Sequence, residues 1–417
     1  MLIEIHILQN HAPGNLNRDD TGSPKECTFG GTRRARISSQ CLKRSIRQSE
    51  FFRTAFEAGE LGTRTRRLPE LVRERFLAAE MTPEMAALAA RKASGFGTKD
   101  GKEQPEKDGK YVTAQTMFLT ESDIASVTDA LIKAAHEAGT PKTFGEGAKY
   151  KAVEIQKSAQ QRGFRPIAVD VALFGRMTTS EALRDVEASC QVAHAISTHK
   201  VEHEFDYFTA ADDLRSTSSD EEEDAGADML GDVEFNSACY YKYFSVDLGA
   251  LSDNLSGARL RGTVLSEEDR AHAHALASRA VLSLIEAACR TTPSGKQNSF
   301  AAHQLPATVL VEVRPQRAPV SYANAFVDAV RVGQDGPDVR KATGRNPDLV
   351  AVSLWKLGEH VKALTEGFGL QTTARFLLAP EFSGFQVDGV QSIKSLSQLG
   401  ENLQAVMRDG SFNVHSA

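Results

Sequence analysis

The chain has 417 residues, of which 41% are hydrophobic and 25% charged, with a formal net charge of −6 and a sequence pI near 6.0. That composition fits a globular protein long enough for more than one lobe, and it argues against bulk non-specific nucleic-acid binding, so any such surface must be a local basic stripe. No segment reaches the roughly 18 uncharged apolar residues of a membrane helix, and the five scattered cysteines form no CxxC pair, as expected of reduced thiols in a cytoplasm rather than of a disulfide framework or zinc site.

From the start, residues 2–9 alternate Ile3, Ile5 and Ile7 against Leu2, Glu4 and His6. They predict a half-buried strand and not a signal peptide, because acid and histidine interrupt the apolar run. Residues 11–25 are rich in turn formers. The stretch Phe29–Ser49 then holds six basic residues (Arg33, Arg34, Arg36, Lys43, Arg44, Arg47) and no acid. Gly30-Gly31 suits a left-handed turn, Arg33–Ile37 a strand, and Ser38 and Ser39 are N-caps for a helix from about Gln40. Leu42 and Ile46 then face inward, while Lys43 and Arg47 share another face. A glycine turn and a helix N-terminus among guanidinium groups is a site for phosphate oxygens. Solvated faces usually mix signs, so the unmixed sign favours nucleic-acid binding dominated by phosphate contacts.

Amphipathic helices are expected to about Phe96, then a glycine- and lysine-rich loop to Lys110, a strand near 112–118 and helices near 121–138 and 146–162. The apolar run Ile167–Phe174 predicts a buried strand, 180–197 a helix, and 198–216 an extended aromatic segment. Asp206–Asp232 carries ten acids against one base, Arg215, with 216–227 expected to be a disordered tip. Strands are expected at 233–247, 307–314 and 349–355, and helices at 266–288, from 323, and at 393–408. No internal repeat is visible, and the element order is α+β.

Three other candidates weaken on inspection. His199-Lys200-Val201-Glu202-His203 matches H-x-x-E-H, a zinc motif on a helix. Here the neighbouring Val201, Phe205, Tyr207 and Phe208 favour extended chain, which would hold the histidines about 13 Å apart. Asp206, Asp212 and Asp213 could hold a divalent cation for phosphodiester cleavage, against the simpler reading of a solvated acidic loop. The glycines near Phe96 and Phe144 lack the spacing of a phosphate loop.

The stretches IHILQNHAPGNLNRDD and FGGTRRARISSQCLKRSIR resemble the N-terminus of the CasC family, the repeated backbone subunit of type I-E CRISPR Cascade complexes. The resemblance recurs at DVALFGRM (170–177), AHAISTHKVEHEFDYFTAADDL (193–214), GADMLGDVEFNSACYYKY (226–243) and PSGKQNSFAAH (293–303). It implies a right-hand shape. A palm resembling an RNA-recognition motif (ferredoxin-like) would comprise 1–55, 167–197 and, with C-terminal elements, 233–417. A helical fingers insertion would span 56–166 and an extended thumb 198–232. It further implies several copies stacked head to tail along a guide crRNA, each thumb flipping out one nucleotide, with other Cascade subunits as partners. The guide then pairs with target DNA, so sequence reading is delegated to RNA.

The same resemblance places RNA contacts on Arg18, Lys25, Ser38, Gln40, Lys43, Arg44 and Arg47, on Met177 against bases, and on the loop Ser294-Gly295-Lys296-Gln297. Composition adds Arg33 and Arg34. Thr32 stands where relatives often carry a second base. The tract Asp220–Asp224 sits within the thumb region without an obvious family role and is expected to point away from phosphate. Type I members do not cleave, which implies no catalytic residue, cofactor or metal. The alternative is a metal-dependent ribonuclease of related fold using the thumb aspartates.

Overall fold

The computed structural model describes residues 1–57, 59–160, 167–178, 183, 185–210, 229–257 and 265–410. It divides into two compact units: residues 1–52, 192–245 and 282–417, and residues 53–191 and 246–281. Residues 167–191 and 246–281, grouped above with the palm, thus fall in the second unit. Among the described residues no helix is long and apolar enough to cross a membrane.

The first unit is built on a large mixed sheet. Its hydrogen-bonded order is Gln391–Ile393, Ala374–Leu378, Thr308–Arg314, Leu2–Gly14, Met229–Asp247, Ala195–Ser197, Thr32–Ile37 and Glu26–Phe29, with Glu204–Ala210 paired to Met229–Asp247. The strand at 2–14 is covered on both faces rather than one, since Glu4 and His6 are as inaccessible as Ile3, Ile5 and Ile7. Its polar face is neutralised internally. Arg314 pairs with Glu4 and, at 2.8 Å, with Glu312, Arg375 reaches Glu312 at 2.5 Å, and the Tyr243 hydroxyl donates to Glu4. Burial raises the Glu312 carboxyl, but His6, Arg314 and Arg375 outweigh it and hold it down at about 2. Burying charges in this way is tolerable only when each is paired.

Helix Leu349–Phe368 packs Ala351, Leu354, Leu357 and Val361 into a cluster with Leu8, Leu310, Tyr322 and Phe326. Residues 349–355, expected as a strand, are therefore the start of this helix. The Asp348 carboxylate caps it, accepting from the amides of Val350 and Ala351 at 3.0 and 2.8 Å, and apolar residues continue at helical spacing beyond Trp355.

The second unit is largely helical: Leu68–Ala78, Pro83–Ala93, Glu121–Ala138, Pro141–Glu146 and Ala152–Gln160 enclose Val72, Phe76, Ala89, Phe96, Leu131 and Phe144. A capping box of Thr120 and Asp123 starts the helix at 121, and left-handed Gly139 ends it. Two expectations fail here. Residues 167–174 contain a short helix, Val169–Phe174, ended by Gly175 at φ +80°. The buried Asp170 carboxylate accepts from the Gly62 amide at 2.8 Å, a contact an uninterrupted apolar strand would not need. The expected helix at 180–197 instead contains strands Cys190–Val192 and Ala195–Ser197.

Candidate nucleic-acid interface

The basic stretch lies wholly in the first unit. Strands Glu26–Phe29 and Thr32–Ile37 form a hairpin through Gly30 and Gly31, both at positive φ (+59° and +75°). Helix Ser39–Gln48 follows, with Ser38 as N-cap accepting from the Cys41 amide at 3.3 Å and with Leu42 and Ile46 buried. Its first turn carries no acid, so the partial positive charge of its amides is unopposed by its own side chains.

Asn17 ties the preceding loop to this helix. Its side-chain oxygen accepts from the Ser38 amide at 2.8 Å, and its carbonyl accepts from the Lys25 amide at 2.8 Å. Asn15 holds the loop from the other end, donating to the carbonyls of Gly22 and Glu234, each at 2.9 Å. Within the loop the Asp19 carboxylate accepts from the amides of Thr21 and Ser23 and from the Thr21 hydroxyl. The hydroxyl bond is the main cause that lowers its pKa. The segment 293–297 meets this loop from far along the chain, Gly295 lying against the backbone of Asn15 and Leu16.

Together these parts line an open cleft of about 550 Å³ bounded by residues 16–22, Cys41, Arg44, Ser45, Ser294 and Gly295. Arg18 and Arg44 are exposed on its walls. Burial raises the Cys41 thiol, while Lys25 and Arg44 act against that shift, as nearby cations do. The cleft thus brings together Arg18, Arg44 and Ser294, with Lys25 close by and the half-buried Lys43 and Arg47 on the same helix. Gln40 is exposed at the helix start. Lys296 adopts a left-handed conformation (φ +49°), and Gln297 donates to the Pro293 carbonyl at 3.0 Å, which folds the loop on itself.

One candidate differs from expectation. Arg34 is fully buried. Its guanidinium donates to the carbonyls of Ser197, Thr198, Phe326 and Val327 at 3.0, 2.8, 2.8 and 3.2 Å, and its Nε to the Thr32 hydroxyl at 2.9 Å. No donor is left for a phosphate, so Arg34 is a structural tie and leaves the set of backbone contacts. Arg33 remains exposed but pairs with Glu26 at 3.3 Å. Met177, 93% exposed, belongs to the second unit.

His203 lies between two carboxylates, its Nδ1 on Glu234 and its Nε2 3.2 Å from Glu26, while Glu202 pairs with Lys200 at 3.4 Å. His203 and Glu202 of the H-x-x-E-H run therefore engage other partners. Among the described residues one group, Glu4, His6 and Glu312, has ligand atoms close enough to share a metal. Arg314 and Arg375 already occupy it. Asp206 lies on the strand Glu204–Ala210, opposite Val233. Asp212, Asp213 and the tract Asp220–Asp224 are outside the described residues. What the sequence did not single out is the pair of loop anchors, Asn15 and Asn17; their place in a turn-rich run was the available signal.

A family model described as CT1975-like protein (Cas_CT1975) matches residues 3–402. The chain belongs to the CT1975-like family. Among solved structures, a chain of a "CRISPR RNA-guided surveillance complex, pre-nicking" is 26% identical with a TM-score of 0.74, the alignment covering 98% of this CT1975-like chain and 100% of that chain. A chain of a "CRISPR RNA-guided surveillance complex", 22% identical over 97% of this chain and 100% of that chain, has the same fold at a TM-score of 0.65. Comparison with curated proteins gives no match. The family match of this CT1975-like protein takes in every residue of the cleft.

Proposed function

We propose that this chain is a crRNA-binding subunit of a CRISPR RNA-guided surveillance complex, a CasC-like backbone protein of the type I-E kind that repeats along the guide and leaves sequence reading to base pairing. The observation that carries this is the full-length likeness to a chain of such a complex, 26% identical over 98% of this chain. The cleft supplies a chemical reason: Arg18 and Arg44 on its walls, and Lys25, Lys43 and Arg47 beside it, suit a phosphate backbone. In this reading the large sheet is an RNA-recognition-motif-like palm, the helical unit contains the fingers, and the strand Glu204–Ala210 with the residues 229–232 paired to it belongs to the thumb.

If about four or five phosphates are neutralised per protomer, single-strand affinity falls with a log–log salt slope of about −3. Such contacts become tight only through repetition along one RNA, which is how an acidic protein coats an acidic polymer. The subunit is non-catalytic in this reading. Incubation of the RNA-loaded protein with complementary RNA and Mg²⁺ or Mn²⁺ tests that point: the RNA stays intact. Regular cleavage abolished by alanine at Asp206, Asp212 or Asp213 would establish the ribonuclease alternative instead.

A further inference from the structure

The cleft contains one side chain that phosphate binding does not explain. Asp20 lines it beside Arg18 and Arg44, is exposed, and has no hydrogen-bond or ion-pair partner among the described residues. Its neighbour Asp19 is different, because its carboxylate is already engaged by Thr21 and Ser23 in shaping the loop. The loop that presents Asp20 is fixed at both ends: Asn15 holds Gly22, and the bridge between Arg18 and Pro24 closes it. Asp20 is therefore a carboxylate presented by a tied loop into a site otherwise suited to anions.

A carboxylate offers only acceptor oxygens. Against a bare phosphodiester backbone it meets other acceptors and repels them, which would weaken the cleft for no return. A nucleic-acid backbone has one donor to satisfy it, the ribose 2′-hydroxyl, and that group also separates RNA from DNA. We infer that Asp20 accepts a hydrogen bond from a ribose 2′-hydroxyl while Arg18 and Arg44 hold the adjoining phosphates, so that this cleft selects RNA over DNA. Repulsion between Asp20 and phosphate then acts mainly on a DNA strand, which cannot offset it. The inference rests on the RNA-binding role proposed above and assigns that role a specificity-determining residue.

The test measures affinity of the full-length protein for an RNA oligonucleotide and for the DNA oligonucleotide of the same base sequence, at one salt concentration and with EDTA present. The wild-type protein prefers RNA, Asp20→Ala reduces that preference about tenfold, the scale of one hydrogen bond to a charged group, and Asp20→Asn, which keeps an acceptor oxygen but not the charge, reduces it by a smaller factor. Replacing ribose by 2′-O-methylribose in the RNA lowers wild-type affinity and leaves Asp20→Ala unaffected. The inference is overturned if Asp20→Ala strengthens RNA and DNA binding equally, which is repulsion alone. It is also overturned if the preference changes only when Mg²⁺ replaces EDTA, which is a cation bridging Asp20 to phosphate. A wild-type protein that binds neither strand removes the RNA-binding reading itself, and this inference with it.

Discussion

Gly295 sits so close to Leu16 that a methyl group on its α-carbon would lie 2.5 Å from the Leu16 carbonyl oxygen, and equally close to that of Asn15. No side chain fits there, so a glycine is what lets the 293–297 loop form one wall of the cleft. Gly295→Ala must push the two segments apart, at the roughly 1–3 kcal/mol typical of overpacking. We expect a thermal midpoint lower by a few degrees and an RNA affinity reduced more than Arg33→Gln reduces it. Unchanged affinity in a folded Gly295→Ala protein would mean that the loop does not contribute to binding.

Arg34 and Arg33, adjacent in sequence, should behave oppositely. Removing the Arg34 guanidinium withdraws a donor from four carbonyls, two of them from a segment that also supports the turn: the Val327 carbonyl lies 1.7 Å from where a Cβ on Gly30 would be. Arg34→Gln should cost about 3 kcal/mol or more in a denaturant titration. Arg33→Gln breaks one exposed ion pair with Glu26 and should cost under about 1 kcal/mol. A stable Arg34→Gln protein that had lost RNA binding would restore Arg34 to the list of contacts.

The cations of the cleft should be readable as a salt slope. Replacing Arg18 and Arg44 with alanine should make the log–log salt dependence of RNA binding shallower by about 0.7 per residue. The double reversal Lys43→Glu with Arg47→Glu should stop RNA coating while leaving the thermal midpoint near that of wild type. An unaltered slope would place phosphate contacts elsewhere.

Acid should destabilise the protein ahead of general carboxylate protonation. Burial, followed by the charge of Lys242, pushes His11 down to about 4 from 6.5. Between those values the unfolded chain binds the proton that the folded chain refuses. The stability His11 confers is thus complete above about pH 6.5 and is lost as pH falls toward 4, up to about 3 kcal/mol. Glu312, held at about 2, extends the loss below its unfolded value of 4.5. A midpoint that declines from pH 7 to 4.5, with a flatter decline in His11→Gln, is the expected result; parallel slopes would assign the acid sensitivity to other groups.

The mixed α and β content, the glycine turn with the strand after it, and the capped basic helix were legible because they follow local rules: glycines at a turn, serine at an N-cap, leucine and isoleucine four apart. Residues 167–174 and 349–355 were misread because short apolar runs suit a buried helix as well as a strand, and what decided them was Asp170 meeting Gly62 and Asp348 capping its helix. The alternation in Thr32–Ile37 could not say which arginine pointed inward, since Arg34 is satisfied by carbonyls from segments far along the chain. The cleft itself depends on the contact of Gly295 with Leu16, which no local pattern encodes. In the sequence Asp20 is one more acid in a turn; only the fold sets it beside Arg18 and Arg44 in one cleft.

The mass of complexes formed by the full-length protein on guide-type RNAs of increasing length tests whether this subunit repeats along RNA. A repeating crRNA-coating subunit predicts that the number of protomers per RNA rises in steps with RNA length, and that Lys43→Glu with Arg47→Glu abolishes the series. A protomer count independent of RNA length, or no RNA-bound species at all, would contradict it.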